Sequence, residues 1–121
     1  AYCFAPVAGY SSFGSYTGNG SMDGPFVYTG FRPRWVMVKC SSTSGDGWIT
    51  QDTQRSAQNP LLLMLGANNT GAEGSFGVDF TIDFLSNGFK PRTSGSWHNS
   101  SGATYIYAAF AENPFQYARA R

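Results

Sequence analysis

The stretch from Pro25 to Cys40, PFVYTGFRPRWVMVKC, restricts what this chain can fold into more than any other. Two apolar runs flank a turn-rich Gly30-Phe31-Arg32-Pro33. The first run, Phe26-Val27-Tyr28-Thr29, holds only aromatic and β-branched residues, the types that suit a pleated strand. The second, Trp35-Val36-Met37-Val38-Lys39-Cys40, is interrupted by a single lysine. A strand with one wet face alternates apolar and polar residues. Runs that are apolar on both faces predict strands inside a sandwich or a covered sheet, with the remaining segments packed around them.

The rest of the chain supplies those segments. Ala1 to Val7 reads as a short strand. The Gly/Ser-rich stretch at 8–24 carries Tyr10, Phe13 and Tyr16 at close intervals, which favours an ordered loop or a strand near 13–17 over a flexible linker. A loop at 41–47 then leads to a strand at 48–53, placed to form a hairpin with 35–40. Leu61 to Leu65 is too short for a stable helix and is read as a strand, followed by a loop at 66–75. From Phe76 to Leu85 the alternation is clean: Phe76, Val78, Phe80, Ile82 and Phe84 share one face, Gly77, Asp79, Thr81 and Asp83 the other. Asn87-Gly88 predicts a tight turn with positive φ, and 89–92 returns antiparallel, with Pro91 confined to an edge or a non-bonded position. A polar loop at 93–102 carries Trp97 and the lone His98. Thr104 to Ala111 is the closing strand. With about eight short strands and no amphipathic helix, the expected fold is all-β, an antiparallel β-sandwich of jelly-roll type.

Composition enters as exclusion. At 121 residues the chain suits a single domain spanning 1–121 and is long enough to bury a core. Charged residues are 12%, about half the usual ~25%, and aromatics reach 17%, which favours β structure over disorder. The eight arginines and lysines are scattered and the net charge is +1, so neither a nucleic-acid stripe nor a polybasic membrane patch is expected. The apolar runs, Leu61 to Leu65 among them, fall far short of the ~20 residues that span a bilayer. The chain opens on an apolar Ala1-Tyr2-Cys3-Phe4-Ala5, and its Phe4-Ala5 followed by Tyr10 echoes Phe110-Ala111 followed by Tyr117. A piece of a longer polypeptide is expected, with residues 1–7 the closing strand of a preceding module. For Cys3 and Cys40, two buried free thiols or a single disulfide are both open, and the habitual burial of cysteine favours the thiols.

Chemistry is sparse. His98 has no nucleophile motif beside it, and its plain reading is a solvent-facing loop histidine. Asp79 and Asp83 share a strand face at ~13 Å, wider than the ~9.5 Å limit for paired glycosidase carboxylates. No dense acidic loop suits calcium, and no glycine loop precedes a helix to cradle phosphate. No enzyme activity, metal or cofactor is expected. Binding is better served: aromatic faces cover the apolar C–H surface of a ligand while Asn and Asp fix its orientation. The candidates are Trp97, His98 and Asn99 on one loop, with Asp46 and Trp48 on another; the alternative for both tryptophans is that they plug the ends of the sandwich.

Four strings, YCFAPVAGYSSFGSYTGNGS, DGPFVYTGFRPRWVMVK, DFLSNGFKPR and TYIYAAFAENPFQYARAR, together resemble a module that recurs in virion proteins of tailed bacteriophages, usually described as tail-fibre or tail proteins. The resemblance runs from Tyr2 to Arg121, loosest at 41–47, 66–75 and 93–102. It brings no catalytic motif and no established binding residues. It implies a β-rich, distal part of a phage particle, extracellular when acting, repeated or homo-oligomeric. By analogy with fibre proteins the oligomer is a trimer, or its contacts are with other virion proteins. The implied partner is a bacterial surface glycan or protein, without nucleic acid or membrane insertion. The rival expectations are a purely structural spacer or assembly module and, less favoured, a polysaccharide-degrading enzyme.

Overall fold

The computed structural model describes residues 5–44, 47–54, 63–66, 74–75 and 81–111. Among these residues the chain forms nine strands: β1 (Ser11–Thr17), β2 (Val27–Tyr28), β3 (Pro33–Cys40), β4 (Ile49–Asp52), β5 (Leu63–Gly66), β6 (Gly74–Ser75), β7 (Ile82–Leu85), β8 (Gly88–Pro91) and β9 (Thr104–Ala111). Every pairing is antiparallel. The strands make a six-stranded sheet, in the order β1-β9-β3-β4-β5-β6, and a three-stranded sheet, β2-β8-β7. The protein is an all-β, sandwich-like domain.

The two runs of the Pro25–Cys40 stretch part company at Gly30–Arg32 and enter different sheets. β3 lies between β9 and β4, paired with β9 along most of its length and with β4 from Trp35 to Val38. Its pleat sends Val36, Val38 and Cys40 inward, where register sets them beside Ala109, Tyr107 and Tyr105 of β9. Val27, Ile82, Phe84 and Phe89 face them from the smaller sheet, and together these residues form the core. Tyr16 of β1 stacks on Tyr105 with ring centroids 5.2 Å apart, and Phe89 meets Tyr16 and Tyr107 edge-on at 5.9 and 5.3 Å. Such contacts add about 0.5–1.5 kcal/mol per pair beyond the area they bury.

The expected β3–β4 hairpin is present, with Val38 opposite Ile49, and β5 is a strand rather than a helical turn. Several details differ from expectation. Within the segment read as a strand at 1–7, Val7 makes an isolated bridge to Ser11 and residues 5 and 6 are irregular, while 1–4 lie outside the described residues. Residues 66–75 were expected to be loop throughout, yet Gly74-Ser75 pairs with β5. Of the long strand expected at 76–85, β7 covers 82–85 and residues 76–80 lie outside the described residues. Ile82 and Phe84 face inward as expected, but Thr81, assigned to the wet face, is buried. Its Oγ1 donates to Arg92 O at 2.9 Å, which satisfies the hydroxyl inside.

The turn at Asn87-Gly88 also differs. The two-residue loop is Ser86-Asn87, and Gly88 is already in β8, opposite Leu85 on one side and Tyr28 on the other. Gly88 is required by crowding: a Cβ there would lie 2.1 Å from Val27 O and 2.9 Å from the Phe26 ring. Pro91 falls where expected. Arg92 N donates to Thr81 O, so the neighbouring Ile82–Pro91 pair is a non-bonded one and the missing N–H of proline removes no ladder bond. Cys40 is a buried free thiol, 2.9 Å from Thr43 Oγ1, and Cys3 lies outside the described residues.

Candidate functional site

The loop at 93–102 closes one end of the sandwich, directly before β9. Two core tyrosines tie it down from below. Tyr16 Oη donates to His98 O at 2.8 Å; Tyr105 Oη donates to Ser96 O and accepts from Ser100 N at 2.8 Å. Both rings bury their apolar bodies and spend their hydroxyls on loop backbone. Burial is the main cause that raises the Tyr16 hydroxyl pKa well above its usual value, with the neighbouring Tyr105 second.

Asn99 ties the loop sideways to residues 18–24. Its two Nδ2 hydrogens are shared among three acceptors, Asn19 Oδ1 (2.9 Å), Ser21 O (2.7 Å) and Thr93 O (2.8 Å), while its Oδ1 accepts from Asn19 N (2.8 Å). Gly20 N adds a bond to Asn99 O at 2.9 Å. The two segments approach so closely that a Cβ on Gly18 would sit 2.2 Å from Ser100 O. Asn19 in turn organises its own turn, accepting from Ser21 N and donating to Asp23 O. This end of the domain is therefore braced, with Asn99 bonding Asn19, Ser21 and Thr93 across the two segments.

The structure separates the five sequence candidates. Trp97 is half-buried at the surface of the loop. His98 and Asn99 have no solvent exposure at all. The expectation of a solvent-facing His98 is thus corrected: burial lowers its pKa to about 4, so the imidazole is neutral at physiological pH. Asn99 is likewise a bracing residue, its amide consumed by the fold. Trp48 is half-buried just ahead of β4. It stands at the same end of the six-stranded sheet as the 93–102 loop, but β4 is two strands from β9, roughly 10 Å across. Asp46 lies outside the described residues.

Two surface groupings escaped the sequence reading. On the outer face of the large sheet, Phe110 of β9 is ringed by Tyr10, Phe13 and Trp35 at 5.9, 5.9 and 5.4 Å between centroids. On the outer face of the small sheet, Tyr28 is 67% and Phe26 46% exposed. Beside them Asp23 takes Lys90 at 2.6 Å and Arg92 at 3.0 Å, and Arg92 reaches Asp83 at 3.3 Å. The hydrogen bond from Lys90, then its charge, holds the Asp23 carboxyl below its usual pKa. The available signal for Phe26 and Tyr28 was period two, Phe26 and Tyr28 against Val27 and Thr29, within a run that otherwise reads as all core.

No group of three or more His, Cys, Asp or Glu among the described residues could hold a metal ion. No helix among them is long and apolar enough to cross a membrane. The described residues form a sandwich-like β domain with a braced loop end, surface aromatics and a cluster of ion pairs. The chain belongs to the family described as Domain of unknown function (DUF7483), which matches residues 1–114. No curated protein and no solved structure matches it.

Proposed function

We propose that this domain is a non-catalytic module of a tailed-phage particle, of tail-fibre or tail-tip type, that binds a polysaccharide receptor on the bacterial surface. The family resemblance of its sequence motifs supplies the setting. The observation that carries the binding reading is the Asn99 brace: it fixes the loops at 18–24 and 93–102 before any ligand arrives, so little ordering entropy remains to oppose binding. Trp97 and Trp48 are the aromatic groups this end offers. Contacts of this kind are individually weak, and copies on one fibre would multiply them through avidity.

The test is binding of the labelled, purified domain to a panel of intact bacteria. Strain-selective binding that the same strain's purified surface polysaccharide competes away supports the reading; a folded sample in its native oligomeric state that binds no strain overturns it.

A second reading, a spacer or assembly module, is favoured by the ring of Tyr10, Phe13 and Trp35 around Phe110, an aromatic sheet face suited to protein contact. Sedimentation across concentrations tests it: a monomer at micromolar concentration argues against an obligate interface between copies.

A further inference from the structure

We propose that the outer face of the three-stranded sheet is a saccharide platform that takes an uncharged sugar chain. This rests on the receptor-binding reading and adds a surface and a ligand class to it. The geometry comes from the register of β2, β8 and β7. Val27, Phe89, Ile82 and Phe84 point into the core, so the residues paired between them point out. Tyr28, Gly88 and Leu85 make one outward row, and Lys90 with Asp83 the next. Gly88 has no side chain, and the space a Cβ would need is taken by the edge of the Phe26 ring, 2.9 Å away. The platform thus presents two rings, Phe26 and Tyr28, on an antiparallel sheet. Tyr28, at 67% exposure, is the most exposed large hydrophobic residue described.

The charges beside the rings choose the ligand. Asp23 bonds Lys90 and Arg92, and Arg92 also reaches Asp83. The two carboxylates and two cations of this cluster cancel, so the cluster itself carries no surplus charge to hold a polyanion. What remains is a fixed array of donors and acceptors, with the Asp23 side chain 74% exposed and able to accept further hydroxyl hydrogens. The core of a protein–protein interface is depleted in charged residues; here ion pairs stand directly beside the aromatic rings. Rings that cover sugar C–H faces next to oriented polar groups that pair with hydroxyls are the recognition chemistry of a neutral saccharide.

The test uses the full chain and the bacterial strain it binds best. Surface polysaccharide from that strain is split by ion exchange into neutral and acidic fractions, each used as competitor. The neutral fraction should compete and the acidic fraction should not. Tyr28→Ala and Phe26→Ala should each weaken binding about tenfold, the scale of losing one stacked ring. Tyr28→Phe, which keeps the ring, should stay within about twofold of wild type. Circular dichroism and the denaturation midpoint establish that each variant is folded. Wild-type affinity in folded Tyr28→Ala and Phe26→Ala overturns the platform. If Trp97→Ala then weakens binding, the receptor reading survives without it. Competition by the acidic fraction alone also overturns it. So does a wild-type oligomer that Tyr28→Ala converts to monomer, since the face would then be an interface between copies. Failure of wild type to bind any strain removes the receptor reading itself.

Discussion

In the loop at 93–102 two polar side chains, His98 and Asn99, are withdrawn wholly from solvent, while in β2 and the residue before it two aromatic rings face outward. The two regions invert the usual allocation of residue types, and for a common reason. A polar group can be buried when its partners are already in place, and Asn99 finds three acceptors and one donor in the backbones and side chains around it. An aromatic ring is covered only if another layer lies over it. β2 belongs to a three-stranded sheet whose inner face uses Val27 and Thr29, and nothing among the described residues is stacked over Tyr28 closely enough to hide it. For Asn99 and for Tyr28, partner availability rather than residue polarity decides burial.

The sharpest way to break this comparison is Asn99→Asp. It puts a carboxylate where an NH2 group faces three oxygens, and should cost about 4 kcal/mol, the scale of an uncompensated buried charge. A shift in urea midpoint as small as that of a surface variant would mean the brace does not hold the loop. Next is acid. His98 has a folded pKa of about 4 against an unfolded 6.5, so below pH 6.5 the unfolded state takes up a proton that the folded state refuses. Stability is fully present above pH 6.5, falls as pH drops, and is lost by the order of 3 kcal/mol near pH 4. Urea melts at pH 7.5 and 4.5 check the sign, and His98→Gln should flatten the slope.

Gly88→Ala probes the other region. Its Cβ would meet Val27 O at 2.1 Å, so β2 must move off β8, at a cost of about 2 kcal/mol. The smallest effect belongs to Tyr28→Ala, within about 0.5 kcal/mol because the ring is mostly in water. A larger loss of stability would place that ring in a packed layer and bring the two regions closer in character.

The sequence made much of the scaffold legible. β3, β9, the β3–β4 hairpin and the inward phase of Ile82 and Phe84 follow from local pattern, because alternation and turn residues are properties of neighbours in the chain. The loop end was not legible. The bonds between Asn19 and Asn99 join residues 80 positions apart, and no local signal in Trp97-His98-Asn99 separates a brace from a binding loop. The platform was hidden for a different reason. Phe26-Val27-Tyr28-Thr29 reads as buried on both faces, and whether its second face is covered depends on how many layers the whole domain builds. Gly88 carried a turn signal because it follows Asn87, yet its lack of a side chain is required by the approach of β2, a strand some sixty residues earlier.

The pairing of β1 with β9 has a consequence in time. Ser11 lies opposite Phe110, so the first of the described strands is hydrogen-bonded to the last of them. On a ribosome adding ~5–20 residues per second, β1 emerges roughly 5–20 seconds before its partner exists. During that interval its edge facing β9 is an unsatisfied template that displays Phe13 and Tyr16. Closing a loop that long also carries an entropic cost that local pairings such as the β3–β4 hairpin do not. A domain assembled this way exposes both edges of β1 to mispairing with neighbouring copies while it is made, and the arrival of β9 covers one of them.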